Sequence, residues 1–213
     1  QAILEGPEEI YLTEQEFITE NLNGVPLCIQ PGCFFQTNST TAEKLYHMAA
    51  TWVQSQLQTM KDSLQAPMIT DDINIVDLFC GVGGFGITMS HLLQQSQSYQ
   101  VSLTGIEISP YAQARAKWTS EQIGFTSLQF HTLDLTQSFI DQRPLEDQPD
   151  VLIVNPPRRG IGSQVCQWIE AKAPRLIIYS SCQSESMMTD INQLPSYQIS
   201  KIQIFDLFPH STH

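Results

Sequence analysis

Residues 73–86 read Ile73-Asn74-Ile75-Val76-Asp77-Leu78-Phe79-Cys80-Gly81-Val82-Gly83-Gly84-Phe85-Gly86. An apolar run of strand length, Ile73–Phe79, passes into a glycine-rich turn and then into a helical stretch. Glycines at such a turn let the backbone bend sharply and approach a ligand closely. A tight strand-to-helix turn with no ligand is the competing reading of the same residues.

Outward from this stretch, strand-length apolar runs alternate with helical segments. The runs are Ile73–Phe79, Val101–Ile106, Leu128–Leu133, Val151–Val154 and Leu176–Tyr179, with a last one at Ile199–Phe205. Helices fit between them, among them Tyr111–Ile123 and Gln164–Ala171. Strands alternating with helices predict βαβ units and a parallel sheet, an α/β, Rossmann-like fold. Towards the N-terminus, Asn38 or Ser39 caps a predicted helix through about Leu57, with Leu45, Met48, Ala49, Trp52 and Val53 at helical spacing. Residues 58–72 read as a polar loop broken by Pro67. Residues 1–36 read as strand-rich, with strands at Glu9–Thr13 and Val25–Ile29 and a turn at Asn23-Gly24. The expected division is a strand-rich remnant of a preceding domain over 1–36 and a Rossmann-like domain over 37–213.

Parallel sheets bind ligands at the carboxyl ends of their strands, and the unusual residues of this sequence lie there. Gly81, Gly83 and Gly86 satisfy the G-x-G-x-x-G spacing, so the glycine loop alone does not separate NAD from S-adenosylmethionine. Glu107 ends the second run, where an acid accepts both hydroxyls of a ribose; a surface acid at the Ser109-Pro110 helix start is the alternative. Asp134 ends the third and is placed to face an adenine amino group, or to be a solvated loop acid. After the fourth comes Asn155-Pro156-Pro157-Arg158-Arg159-Gly160. Two prolines stiffen the backbone and remove donors, which suits holding a nucleobase edge and is not a requirement of dinucleotide dehydrogenases. Amino-methylating enzymes typically carry an aromatic after Asn-Pro-Pro, whereas this chain has Arg158. Arg158 and Arg159 also bring positive charge where a phosphate would sit; ordinary surface solvation is the alternative.

The fifth run ends Tyr179-Ser180-Ser181-Cys182. A thiolate that adds to carbon 6 of uracil makes carbon 5 nucleophilic, which is covalent catalysis. It must form near neutral pH, helped by the helix that starts after it, Ser184–Asp190. A lone cysteine is by default a small buried hydrophobe, and Cys28, Cys33, Cys80 and Cys166 are read that way.

The chain has 213 residues, enough for one domain with a full core. No apolar run is long enough to span a membrane. The first residues are polar and acidic, unlike a signal peptide, and the missing initial methionine suggests a piece of a longer protein. Five scattered cysteines with no C-x-x-C pair argue against zinc and a disulfide framework and for a reducing cytoplasm. The net charge of −12 counts against nucleic-acid binding unless a local basic cluster or a further domain supplies the contacts.

Taken together, Phe34-Phe35-Gln36-Thr37-Asn38, Asp77–Gly84, Gly105-Ile106-Glu107, Asn155–Gly162, Tyr179–Cys182 and Phe208-Pro209-His210 resemble the RNA (uracil-carbon-5) methyltransferase family, over essentially the whole chain. Val154–Gly162 and Tyr179–Cys182 are similar to its bacterial 23S ribosomal RNA branch. The resemblance implies a class I methyltransferase fold and S-adenosylmethionine as methyl donor. Gln36, Phe79, Glu107 and Asn155 would contact that donor, Gly81 and Asp134 joining them from the strand-end reading, and Cys182 would be the nucleophile. The implied substrate is 23S ribosomal RNA, with no DNA, no membrane and a monomeric chain. Two departures stand out. The family's four-cysteine iron–sulfur cluster has no quartet here. Its proton-abstracting glutamate, with a final strand, would follow the Phe-Pro-His stretch, beyond His213; neither His210 nor His213 is assigned as the base. A chain without that glutamate is expected to stall as a covalent RNA adduct. The rival readings are an amino-methyltransferase acting on a purine, an NAD oxidoreductase, and a non-catalytic cofactor- or RNA-binding module.

Overall fold

The computed structural model describes residues 10, 12–63, 70–135, 145 and 148–209. Five parallel strands form the central sheet: β3 (Asp72–Leu78), β4 (Gln100–Glu107), β5 (Leu128–Thr132), β6 (Val151–Val154) and β7 (Leu176–Tyr179), in the order β5-β4-β3-β6-β7. Register is set strand by strand, with Asp77 opposite Gly105 on one side and Ile153 on the other, and Val154 opposite Tyr179.

The period of two along each strand sends side chains to opposite faces. Ile73, Ile75, Val101, Leu103, Val151 and Ile153 build one core, packed with α1 (Ser39–Asp62), α2 (Gly84–Gln95) and α3 (Pro110–Gln122) through Val53, Leu57, Phe85, Met89 and Ala116. Val76, Leu78, Ile106, Leu152 and Val154 build the other, packed against Val165, Trp168 and Ile169 of α4 (Ser163–Lys172). Covering both faces is what a parallel sheet requires, and it explains why β6 is apolar at every position. The helix α5 (Ser184–Ile191) follows β7.

The hairpin β1 (Ile18–Leu22) and β2 (Val25–Ile29) is antiparallel, joined at Asn23-Gly24 with φ of 54° and 82°, the signature of a two-residue turn with both central residues left-handed. Leu22, Val25 and Leu27 belong to the first core. The Thr119 hydroxyl of α3 accepts from Cys28 N–H at 3.3 Å and lies 3.3 Å from the Pro26 carbonyl, and Arg115 Nε donates to Gln30 Oε1 at 2.6 Å.

Three local expectations need correction. The stretch Glu9–Thr13 is not a strand where it is described: Ile10 has no regular structure, Leu12 and Thr13 lie in bends, and Leu12 is 93% exposed; Glu9 and Tyr11 lie outside the described residues. Val25–Ile29 pairs with Ile18–Leu22, a strand that the sequence reading does not name. Helix α1 runs to Asp62 rather than Leu57. Residues 58–62 contain good helix formers and no breaker, and Lys61 anchors the last turn by pairing with Asp71 at 2.6 Å and lying over the Tyr99 ring. Pro67 lies outside the described residues. The run Ile199–Phe205 forms no ladder, and Ile202 and Ile204 are 74% and 84% exposed. A strand exists only by pairing its backbone groups, and among the described residues β7 has β6 as its sole neighbour. The segment instead runs beside α1, where Asn38 Nδ2 donates to the Leu207 carbonyl at 3.2 Å. Among the described residues no helix is long and apolar enough to cross a membrane.

Candidate active site

Chain order reverses at β3, with β4 and β5 on one side and β6 and β7 on the other. Ligands of open parallel sheets bind at such a switch point. The turn after β3 is contorted: Phe79, Gly81 and Gly83 have φ of 62°, 55° and 84°. For Phe79, a non-glycine residue in the left-handed region, this costs about 1–2 kcal/mol. Two hydrogen bonds hold the turn, Cys80 N–H to the Ile106 carbonyl at 3.0 Å and Gly83 N–H to the Cys80 carbonyl at 2.8 Å. Gly83 is the N-cap of α2, and any side chain there would run into Ile87.

Glu107 at the end of β4 ties two loops. Its Oε2 accepts from Gly81 N–H at 3.0 Å and its Oε1 from Ser109 N–H at 2.9 Å. Ser109 in turn caps α3, its hydroxyl accepting from Ala112 N–H at 3.3 Å, with Pro110 in the first helical turn. Each carboxylate oxygen keeps a free lone-pair direction, so a carboxylate fixed beside a glycine backbone fits a ribose diol. The segment carrying Gln36 passes over this loop: a Cβ on Gly81 would lie 3.8 Å from the Phe34 carbonyl oxygen. Gln36 is half-buried there. The half-buried Asp134 follows Leu133, whose N–H donates to the Glu107 carbonyl at 2.9 Å, so its strand end lies beside that of Glu107.

On the other side of β3, Asn155 N–H reaches the Leu78 carbonyl at 3.4 Å; Asn155 is half-buried, Pro156 buried, and Pro157, Arg158 and Arg159 are exposed. Arg159 lines a cavity of about 300 Å³ at the start of α4 with Leu135 and residues 160–164. Ser180 N–H donates to the Val154 carbonyl at 2.9 Å, so the Cys182 loop springs from the strand end next to that of Asn155. Cys182 lies between β7 and the N-cap of α5, Gln183, in a bend closed by Ser181 Oγ, which accepts from Gln183 N–H at 3.0 Å. All five cysteines are free, and Cys182 is the exposed one. Burial pushes the thiols of Cys28, Cys33, Cys80 and Cys166 up, that of Cys166 to about 11. Among the described residues no three His, Cys, Asp or Glu side chains are disposed to hold a metal, so these cysteines do not fit a four-cysteine cluster.

Two acids at the site carried no assigned role in the sequence. Asp190 of α5 is buried and accepts from the backbone of the Asn155–Gly162 loop. Asp77 of β3 is 1% exposed. Its Oδ2 accepts from Gly86 N–H at 2.9 Å, fastening α2 to the sheet, while Oδ1 has no partner among the described residues. Burial, opposed by the Gly86 bond and aided by the Glu107 charge, pushes the Asp77 carboxyl up to about 8. The folded chain thus keeps this proton through a range where the unfolded chain, with an aspartate near pKa 3.9, has lost it. Between roughly pH 4 and 8 the unfolded state binds fewer protons, so this group makes stability fall as pH rises, by at most about 1.4 kcal/mol per pH unit, and the decline ends above about pH 8. Asp77→Asn keeps an acceptor for Gly86 and cannot ionise. Its unfolding free energy relative to the parent is expected to improve steadily from pH 5 to pH 8 in urea titrations; parallel pH profiles would contradict this.

A family model described as tRNA (Uracil-5-)-methyltransferase matches residues 9–213. Over 212 residues the chain is 46% identical to the 23S rRNA (uracil(747)-C(5))-methyltransferase RlmC of Salmonella paratyphi B, and to that of Salmonella agona, covering 100% of this chain and 50% of each relative. The chain therefore spans about half the length of the curated relatives it matches. Among solved structures it is similar to the Pyrococcus abyssi tRNA (uracil-54, C5)-methyltransferase in complex with S-adenosyl-L-homocysteine, with a TM-score of 0.70 and 26% identity over 92% of this chain and 42% of that one. Pyrococcus abyssi Trm5b shares the fold, with a TM-score of 0.54 at 13% identity over 91% of this chain and 52% of that one.

Proposed function

The chain belongs to the tRNA (uracil-5-)-methyltransferase family, and from that premise we propose that it carries the catalytic machinery for methylating carbon 5 of a uridine in 23S ribosomal RNA, with Cys182 as covalent nucleophile. The observation that carries the reading is the placement of Cys182: an exposed thiol at the carboxyl edge of the sheet, in the loop after β7, the strand next to the one that leads into Asn155, while the other four cysteines are wholly or partly buried. The ribosomal substrate is favoured over a transfer RNA by the 46% identity to 23S enzymes against 26% to the transfer-RNA enzyme.

S-adenosylmethionine supplies the methyl group. Glu107 would accept from its ribose hydroxyls, the Phe79–Gly83 turn would give its backbone room, and Gln36, Asn155 and Asp134, the last towards the adenine, would hold the rest. Asn155 holds the uracil edge, with the two prolines keeping the loop stiff. The Cys182 thiolate forms a bond to carbon 6, which pushes electron density to carbon 5; carbon 5 takes the methyl group as the donor's sulfur–methyl bond breaks and the donor leaves as a neutral thioether, a base removes the carbon 5 proton, and the bond from Cys182 to carbon 6 breaks to release the thiolate. Arg158 and Arg159 meet backbone phosphate, a local basic cluster on an otherwise acidic chain. A protein acting on ribosomal RNA would meet that substrate in the cytoplasm.

The test is intact-protein mass spectrometry after mixing the chain with S-adenosylmethionine and 5-fluorouridine-substituted 23S RNA fragments, followed by RNase digestion. Fluorine cannot leave carbon 5 as a proton, so the adduct accumulates whichever group is the base. A methylated nucleotide on Cys182 is expected. Cofactor binding without an adduct would overturn the covalent route, and an N-methylated purine in unsubstituted RNA would indicate an amino-methyltransferase.

A further inference from the structure

Asp190 is 3% exposed and sits on α5, eight positions after Cys182. Its Oδ2 accepts from Ile161 N–H at 2.8 Å and from the Tyr179 hydroxyl at 2.6 Å, and its Oδ1 accepts from Gly162 N–H at 3.3 Å. Burial, and then the bond to Asp190, push the Tyr179 hydroxyl well above the ordinary tyrosine range, so the phenol keeps its proton and remains the donor. Three segments meet on this one carboxylate: the loop after β6, the end of β7 and helix α5. Gly160 is fitted to it, since a Cβ at that position would overlap Asp190 Oδ2, and its φ of 83° turns the chain so that the next two N–H groups point at the acid.

The Tyr179–Asp190 bond also closes the stretch that contains Cys182. Residues 180–183 leave β7 at Tyr179 and lead into α5, and Tyr179 is bonded to Asp190, the penultimate residue of that helix, so the one bond spans the loop and the helix together. The Asn155–Gly162 loop is locked to the same atom. We propose that Asp190 is a positioning residue that fixes the uracil-holding loop and the Cys182 loop in one geometry. This rests on the function proposed above. The physical reason for a buried acid here is that Pro156 and Ile161 are the only apolar side chains that anchor the first loop by burial and residues 180–183 bury none, whereas a carboxylate takes several charge-assisted bonds at once. Misplacing a nucleophile by about 1 Å can cost about a hundredfold in rate.

The test uses the full chain with Asp190→Ala, Asp190→Asn and Tyr179→Phe, in two arms. Amide hydrogen exchange needs no chemistry. Asp190→Ala is expected to speed exchange both at 160–162 and at 180–184, although no amide of the second segment bonds to Asp190. Acceleration confined to 160–162 would overturn the proposal. In the second arm the rate of adduct formation with 5-fluorouridine RNA is measured at saturating RNA. Asp190→Ala is expected to lower it about tenfold or more, with the dissociation constant for S-adenosylmethionine and the half-saturating RNA concentration unchanged. Asp190→Asn, oriented with its oxygen on Ile161 and Tyr179, keeps those two bonds but sets its amide nitrogen against Gly162 N–H, and is expected to restore part of the rate lost in Asp190→Ala; Tyr179→Phe is expected to fall between Asp190→Ala and the parent. A parental rate in Asp190→Ala would overturn the proposal. A parent that makes no adduct, with the exchange result as expected, would sink the proposed reaction and leave the clamp standing.

Discussion

Replacing Cys182 by alanine is expected to abolish the RNA adduct and to lower methylation by roughly a thousandfold or more, without loss of fold or of cofactor affinity. The size follows from the chemistry: without a thiol at carbon 6, carbon 5 of uracil remains a poor nucleophile, and removing a covalent nucleophile commonly leaves only the catalysis that comes from binding. The selectivity follows from the structure. Cys182 is exposed in a bend and packs into neither core, so its truncation leaves no cavity. Serine is not expected to rescue, because its hydroxyl does not ionise near neutral pH. The buried thiols of Cys28, Cys80 and Cys166 have their ionisation pushed up by burial, so a thiol-alkylating reagent should label Cys182 first and block the adduct with the same time course. An adduct that survives Cys182→Ala would refute the mechanism.

Glu107→Ala is expected to weaken S-adenosylmethionine binding about a hundredfold or more. Hydrogen bonds to a charged group contribute about 1.5–3 kcal/mol each, and the proposed ribose contact has two. The variant also frees Gly81 N–H and Ser109 N–H, loosening the glycine turn and the start of α3 together. Glutamine is not a conservative replacement. Both oxygens of Glu107 accept from backbone N–H groups, so an amide nitrogen in either place would set donor against donor. Calorimetric titration with S-adenosylmethionine, with circular dichroism to check the fold, reads the outcome. An affinity within about threefold of the parent would remove Glu107 from the cofactor site.

Much of this site is legible from local sequence because it is built at strand ends. Glu107, Asn155 and Cys182 each follow a short apolar run, and in a parallel sheet those ends must share one edge. The strands β6 and β7 fall where the sequence predicts them, since a four-residue apolar run between polar turns has few other ways to be buried. Asp77 and Asp190 are different. The apolar run around Asp77 signals burial but not which donor it meets, and nothing nearby in sequence signals that Asp190, late in a helix, will be enclosed. Gly160 and Gly162 mark an irregular loop, but not the acid to which that loop is fitted.

The sequence by itself determined the alternation of strands and helices, the turn chemistry at Asn23-Gly24 and Gly81–Gly83, and which candidate site residues stand at the sheet edge. Those features depend on periodicity and backbone preference within a few residues. Only the tertiary structure decided that Ile18–Leu22 pairs with Val25–Ile29 and joins the first core, and that Ile199–Phe205 forms no strand despite its apolar pattern. It also decided that Asp190 gathers three segments. A strand requires a partner and a buried acid requires donors, and both are supplied by residues distant in the chain, whose approach no local pattern encodes.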